Sequence, residues 1–534
     1  MGSVTGEDRR HNTGWHAFLV GAGILLSRLM GLVRQRAFSH FFGLRSDAAD
    51  AFMASIRIPN FLQNLFGEGV LSASFIPVYA RLLAEGDEKE SRRVAGAIGA
   101  LISLVISILV LIGVLATPLF IDVIAPGFHG PKRALTITIV RILFPGAGLL
   151  VLSAWCLGIL NSHRKFFVSY TAPVIWNLAM IGTLITFGRR LAEPSLAVTL
   201  AWGSVIGSAL QVGVQLPQVL RLVRHLRLRL ETKSRHVRDV VRNFIPVFIS
   251  RGVVQISAYV DTLLASFLPT GAVTGLMNAQ TLYLLPVSLF GMSVSAAELP
   301  AMSSALGDEA GVAAILRTRV NEGLRRIAFF IVPSAMAFLA LGSVIAGALF
   351  QTGKFRAQDS SYVWGILAGS AIGLVASTLG RLYSSAYYAL RDTRTPLLFA
   401  VVRVLFTSGL GYVFALPLPI WIGISPRWGV AGLTASAGLS GWVEFTLLRR
   451  TMNRRIGATG LPSVLLGKLW FAAAMAAAAA WGIKLIVVRH GLIFQAVTVL
   501  GVYGLVYFAL TYLLRVEECA RLLHLPSLKI TPLK

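Results

Sequence analysis

Arg57 to Pro77 reads RIPNFLQNLFGEGVLSASFIP, an apolar segment that also holds an arginine, two asparagines, a glutamine and a glutamate. Such groups are costly in hydrocarbon, so the segment either lies outside a membrane or lines something wet within one. The composition of the whole chain decides. Its 534 residues are 55% hydrophobic and only 13% charged, with a mean hydropathy of +0.73, where soluble domains carry about 25% charged residues. Runs such as 94–119, 328–350, 470–488 and 492–514 each supply about 20 residues, enough to cross a hydrocarbon core of about 30 Å as helix. Backbone polar groups must be satisfied internally in lipid, and the alternating pattern of a membrane barrel is missing. The expected fold class is therefore an all-α polytopic membrane protein.

Hydropathy places about fourteen spans, near residues 16–42, 50–80, 94–119, 134–160, 166–188, 195–221, 240–268, 272–304, 325–350, 361–390, 396–417, 428–448, 466–488 and 492–514. Most Lys and Arg fall in the loops after even-numbered spans (81–93, 164–165, 221–242, 317–326, 391–394 and 449–468). By the positive-inside rule this side, with both termini, is expected in the cytoplasm. The formal charge of +26 is scattered over these loops rather than gathered in one soluble domain. It points to anionic lipid head groups at the cytoplasmic face and away from nucleic acid. Cys156 and Cys519 sit in separate segments and give neither a disulfide framework nor a metal pair. The polar N-terminus has no small-residue cleavage site, so no removable signal peptide is expected.

The chain also repeats itself loosely at an offset of about 225 residues. LFGEGVLSASFIP (65–77) returns as LFGMSVSAAELP (289–300), PGF (126–128) as TGKF (352–355), and the turn LNSHRKF (160–166) as LRDTRTP (390–396). An offset of six spans keeps both halves in the same orientation, as in transporters built from parallel repeats. Two six-helix lobes are expected, 1–230 and 231–455, followed by a helix pair and tail, 456–534.

Asp50, Arg57, Asn60, Asn64 and Glu68 fall within about 80° of one another at 100° per residue, so a helix here would carry one polar stripe. Pro59 is expected to bend it, and Gly67 and Gly69 to loosen it. A stripe at membrane depth should face a water-filled cavity. In the first span, SRLMGLVRQRAF, a rise of 1.5 Å per residue puts Arg28 about 18 Å deep, with Arg34 and Arg36 about 27–30 Å along and nearing the outer surface. Arg36 fits a snorkelling role there. Arg28 and Arg57 need either acidic partners, Asp50 and Glu68, or an anionic ligand, and guanidinium forks match phosphate oxygens. Asp261, a lone carboxylate in an apolar span, is either a coupling site for Na+ or H+ or a buried neutral acid. Asn278, Gln280 and Thr281 either line the same cavity or make ordinary interhelical contacts. Arg251, Arg381 and Arg403 fit local pairing or snorkelling. No phosphate-binding glycine loop, HExxH or nucleophile elbow is present, so ATP hydrolysis within the chain is not expected.

The runs SRLMGLVRQRAF, DAFMASIRIPNFLQNLFGEGVLSASFIPVYARL, APGF, RILFPGAGLL, GILNSHRKFF, APVIWN, LFQTGKF and YYALRDTRTP resemble the MurJ (MviN) lipid II flippases of the multidrug/oligosaccharidyl-lipid/polysaccharide exporter superfamily. The resemblance implies fourteen helices in two lobes about a central cavity, a last helix pair beside a groove for a polyprenyl tail, and no enzymatic activity. It implies carriage of undecaprenyl-pyrophosphate-linked peptidoglycan precursor from the inner to the outer leaflet of a bacterial cytoplasmic membrane by alternating access, with cell-wall synthesis proteins as possible partners. By this resemblance Arg28 and Arg34 match substrate arginines, Asp50 a family aspartate, and Asp261 an acidic ligand of a sodium site known in some members. Gln35, Gln63, Gln280 and Thr281 depart from charged family positions, and Arg36 and Arg57 are the residues placed to compensate. The expected substrate set is Arg28, Arg34, Arg57, Asn60, Gln63, Asn64, Gln280 and Thr281, with Asp50 and Glu68 as charge partners. Two other functions compete: a flippase for a different polyprenyl-linked glycan, and a scaffold that would tolerate loss of every cavity charge. Export of organic cations would require an acidic cavity, whereas arginines outnumber acids in the first two spans.

Overall fold

The computed structural model describes residues 6–231, 234–304, 308–487 and 490–522, and among them every regular element is helical. Ten of these helices are long and apolar enough to cross a membrane. The expected spans outside that set fall on the helices beginning at Gly6, Asp47, Arg235 and Gly429. Three of those four carry the polar residues singled out above. Contacts divide the chain into two compact units, Met1–Val273 with Thr352–Lys354, and Thr274–Gln351 with Phe355–Lys534.

Unit 1 contains α1 (Gly6–Phe42), α2 (Asp47–Phe66), α3 (Glu68–Ser74), α4 (Ile76–Ala84), α5 (Glu88–Leu115), α6 (Thr117–Ile124), α7 (Gly130–Ser162), α8 (Phe166–Phe187), α9 (Glu193–Leu222) and α10 (Arg235–Ser266). It runs past the boundary expected at 230, because α10 packs on α2, α3 and α6 of this unit. Its core joins Leu71, Phe75 and Tyr79 to Ile98, Trp155 and Val219. A buried polar bridge ties α7 to α9, with Ser153 Oγ donating to Gln215 Oε1 at 2.6 Å and accepting from Gln211 Nε2 at 2.8 Å. The segment Thr352–Lys354 joins this unit through its backbone N–H at Lys354, which donates to the His40 carbonyl at 3.0 Å. Lys354 Nζ pairs with Glu193 Oε1 at 2.5 Å.

The polar second span is interrupted at Gly67 rather than at Pro59, which stays within α2. Gly67 adopts an extended conformation between α2 and α3, and a Cβ there would lie 2.0 Å from the Gln63 carbonyl oxygen. Only glycine fits that break.

Unit 2 contains α11 (Ala272–Pro286), a π-helical stretch (Val287–Met292), α12 (Ser293–Ser303), α13 (Glu309–Phe350), α14 (Ala357–Ala389), α15 (Arg394–Ala415), α16 (Pro417–Trp421), α17 (Gly429–Ile456), α18 (Ser463–Ile486), α19 (Leu492–Leu513) and α20 (Glu517–Leu522), with α11 beginning two residues before the boundary. The LFG motif that breaks the helix in unit 1 thus sits in π-helix at its repeat, 289–291. The two repeated turns match more closely. Arg164 and Arg391 both take left-handed φ, 59° and 58°. The next residue's N–H reaches back five positions, Lys165 to the Leu160 carbonyl at 2.8 Å and Asp392 to the Tyr387 carbonyl at 2.9 Å. Each is a Schellman cap, so sequence repetition has become repeated backbone geometry.

The last helix pair docks against α13. Pro333 within α13 has no N–H to offer the Phe329 carbonyl one turn before it. Tyr507 Oη on α19 donates to that carbonyl at 2.6 Å, and Tyr503 Oη to the Pro333 carbonyl at 2.7 Å. A proline kink is thereby satisfied by a neighbouring helix, as lipid-embedded backbone requires.

The helices α14 and α17 meet at glycines: a Cβ on Gly373 would lie 2.3 Å from Gly438 Cα. Small residues at such a crossing allow the backbones to touch. Gly373→Val is expected to force them apart and to destabilise the protein by about 1–3 kcal/mol. A thermal scan of the purified variant checks this, and an unchanged transition would show that the crossing has slack.

Candidate functional site

On α2 the sequence separates two faces. Ile58 and Leu62, one turn apart, are buried against Ile121, Val140 and Phe144. On the other side Arg57, Asn60 and Gln63 are half-buried and Asn64 is exposed. The apolar face therefore anchors the helix, and the polar stripe from Arg57 to Asn64 stays partly accessible.

Arg57 is held by α10. Its Nη1 donates to Thr262 Oγ1 at 2.5 Å, and Tyr259 Oη donates to the Arg57 carbonyl at 2.9 Å. Phe61 meets the Tyr259 ring edge-on, with centroids 5.6 Å apart. Asp261 lies within electrostatic reach of the guanidinium. The sequence flagged Arg57 and Asp261 separately; their association, and the parts played by Tyr259 and Thr262, come from packing across about 200 residues. The motif YVDT around Asp261 was the available signal.

Arg34 is treated differently. Its guanidinium lies over Trp176 of α8, 4.7 Å from the ring centroid, and Nη1 approaches Met180 Sδ at 3.9 Å. Trp176 is fixed in turn by a bond from Nε1 to Ser204 Oγ at 3.1 Å. A cation on an indole face keeps its in-plane N–H edge available. Arg28 is exposed and forms no ion pair with a described residue. The alternative pairing of Arg28 with Asp50 is therefore not formed.

Asp50 is instead 1% exposed and closes the end of α2. Its Oδ2 accepts from Lys132 Nζ of α7 at 2.9 Å and from the Gly271 N–H at 2.8 Å. Lys132 also pairs with Asp47 Oδ1 at 3.1 Å, and Thr270 Oγ1 donates to the same oxygen at 2.8 Å. Asp50 thus ties three segments of unit 1 together, a role the sequence did not indicate. The side chain of Glu68 lies outside the described residues, as does that of Arg251. In unit 2 Asn278 is buried, Gln280 is half-buried, and the Thr281 hydroxyl donates to its own helix at the Met277 carbonyl, 2.9 Å away. Arg403 pairs locally, with Glu444 Oε2 at 3.0 Å.

A cation at Asp261 would need a cage of oxygen ligands. Among the described residues no group of three or more His, Cys, Asp or Glu could hold one. Asp261 lies within electrostatic reach of the Arg57 guanidinium, which opposes a second cation. Unit 1 offers instead three guanidinium groups in distinct settings: one exposed, one on an indole, one braced by a hydroxyl. Guanidinium forks of this kind suit an anion carrying several oxygens.

Residues 38–501 match the family described as "Lipid II flippase MurJ". The "Lipid II flippase MurJ" of Burkholderia cenocepacia is 30% identical over 450 residues, covering 83% of this chain and 84% of that protein. The "Probable lipid II flippase MurJ" of Bdellovibrio bacteriovorus is 30% identical over 518 residues, 95% of each. Among solved structures, "Lipid II flippase MurJ, inward closed conformation" superposes with a TM-score of 0.77 at 23% identity, covering 95% of this chain and 100% of that one. An inward-facing "multidrug resistance MATE family transporter of the MOP superfamily" superposes with a TM-score of 0.65 at 17% identity, over 80% of this chain and 95% of that one.

Proposed function

Belonging as it does to the lipid II flippase MurJ family, this bacterial multi-pass membrane protein moves lipid II across the bilayer, and we propose that Arg28, Arg34 and Arg57 hold the diphosphate during that passage. It is a transporter, not an enzyme. The observation that supports the assignment is Arg57, half-buried and braced by Thr262 on the polar stripe of α2. Bidentate N–H forks on three guanidinium groups replace the water that a diphosphate would otherwise lose. Asn60, Gln63 and Asn64 on the same stripe supply amide donors for the remaining oxygens and the first sugar.

Asp261 acts as an exchange partner for Arg57. When the diphosphate binds, the guanidinium turns its fork to the ligand; when it leaves, Asp261 takes up the charge again. An arginine without either partner would be costly at that depth, so the unloaded carrier stays stable.

The driving force follows from charge. A cell interior that is negative favours outward movement of an anionic head group and inward return of an arginine-rich empty site. Each elementary charge moved through 100 mV is worth about 2.3 kcal/mol. The membrane is the cytoplasmic one, with the basic loops inside, against anionic lipid.

The test is reconstitution in vesicles with labelled lipid II. Translocation is expected to speed up several-fold under a potential negative on the basic-loop side. Equal rates at zero and applied potential would remove the electrical step, and no translocation at all by Arg28→Ala, Arg34→Ala and Arg57→Ala together is the expected control.

A further inference from the structure

A second cluster of charge lies inside unit 2, on helices that the unit 1 site does not use. Arg381 on α14 sits eight residues before the helix ends at Ala389, about 12 Å of rise. Arg403 on α15 sits nine residues after its start at Arg394, about 14 Å. Both therefore lie well inside the bilayer, below the basic turn that joins the two helices. Arg403 Nη1 reaches Glu444 Oε2 of α17 at 3.0 Å, and its side chain remains 37% exposed.

Arg381 is exposed and has no ion pair or hydrogen bond with a described residue. Tyr283, Arg403 and Glu444 lie within its electrostatic reach, and Tyr388 lies within reach of Glu444. One carboxylate, paired with Arg403, thus faces two guanidinium groups, leaving an excess positive charge among the described residues. Two phenol hydroxyls stand by as further donors. A lone arginine on the lipid face would simply extend to the interface. Here a second arginine, a carboxylate and two tyrosines from four helices lie within electrostatic reach of Arg381 or of Glu444, which is the donor set of an anion site rather than of a snorkel.

We propose that Arg381 and Arg403, flanked by Tyr283 and Tyr388, bind the phosphate of a lipid head group in the basic-loop half of unit 2, with Glu444 competing for Arg403 when the site is empty. The ligand chemistry is a phosphate ester on a membrane lipid. It has two sources, the polyprenyl diphosphate of the transported precursor and the phosphodiester of an anionic bilayer lipid. The site is separate from Arg57, so its failure would leave the unit 1 assignment standing.

The experiment uses the full chain purified in detergent and carrying Arg57→Ala, so that unit 1 binding is suppressed. Native mass spectrometry counts bound lipid as undecaprenyl diphosphate or phosphatidylglycerol is titrated in separate arms. Adding Arg381→Gln is expected to weaken binding about tenfold in at least one arm, and the arm affected identifies the source. Adding Glu444→Gln instead is expected to tighten binding in the same arm, because Arg403 loses its competitor; this variant tests the idea even where Arg381→Gln folds poorly. Unchanged affinity for both lipids in both variants would overturn the proposal.

Discussion

Arg57→Ala is expected to slow lipid II translocation by about ten- to a hundredfold, enough to abolish complementation of flippase-depleted cells. A hydrogen bond to a charged group is worth about 1.5–3 kcal/mol, and the diphosphate would lose at least one bidentate partner. The helix contact should survive. Tyr259 Oη donates to the main-chain carbonyl of residue 57, which alanine keeps, and Ile58 and Leu62 on the opposite face are untouched. Normal protein levels with lost transport are therefore expected, a combination that separates binding from folding. Arg57→Lys keeps the charge but replaces a planar fork by a point charge, so partial activity is expected. Removing Asp261 as well, by Asp261→Asn in the Arg57→Ala background, should not restore transport. It relieves the carboxylate left without its guanidinium, and any recovery of yield would reveal a stability component. Full translocation by Arg57→Ala would mean that the polar stripe does not carry the diphosphate.

The helical class was legible because the solvent dictates it: 13% charge and long apolar runs leave few alternatives. The repeat was legible too, down to its turns, since LNSHRKF and LRDTRTP close with the same left-handed residue and the same five-residue hydrogen bond. Local strain was less so. The sequence marks Pro59 for a bend and Gly67 for loosening; Pro59 stays within α2, and the interruption comes at Gly67, where backbone crowding and not a missing donor decides. What eluded the sequence was pairing over distance. Arg34 finds Trp176 and Arg57 finds Thr262 only after α1 meets α8 and α2 meets α10. Helical periodicity reports which residues share a face, but carries nothing about which helix that face meets. Asp50 shows the consequence. It lies on the same computed stripe as Arg57, two turns away, and nevertheless ends in a sealed ionic joint because the N-terminal turn of α7 delivers a lysine there.

That joint carries the other large effect. Asp50 is 1% exposed, and Lys132 Nζ supplies the countercharge at 2.9 Å while the Gly271 N–H supplies a neutral donor at 2.8 Å. Lys132→Met keeps most of the side-chain volume but gives up the ammonium over the Phe128 ring and strands a buried carboxylate. Breaking a buried pair from one side costs about 3–5 kcal/mol, because the remaining charge has lost its partner without regaining water. A large fall in thermal stability is therefore expected. The double variant Lys132→Met with Asp50→Asn should recover most of it, since the amide still accepts from Gly271 and no charge is left to desolvate. The rescue distinguishes electrostatics from packing: lost packing at Lys132 would persist in the double variant, whereas a stranded charge would not. Because Lys132 also holds Asp47 at 3.1 Å, and Asp47 accepts from Thr270, the loop after α10 should loosen together with the N-terminal turn of α2. Hydrogen exchange at Gly271 reads that coupling directly. Rapid exchange there in Lys132→Met and protection restored in the double variant are expected; a single variant as stable as the parent would show that Asp50 is held by its other contacts and that the lysine is incidental.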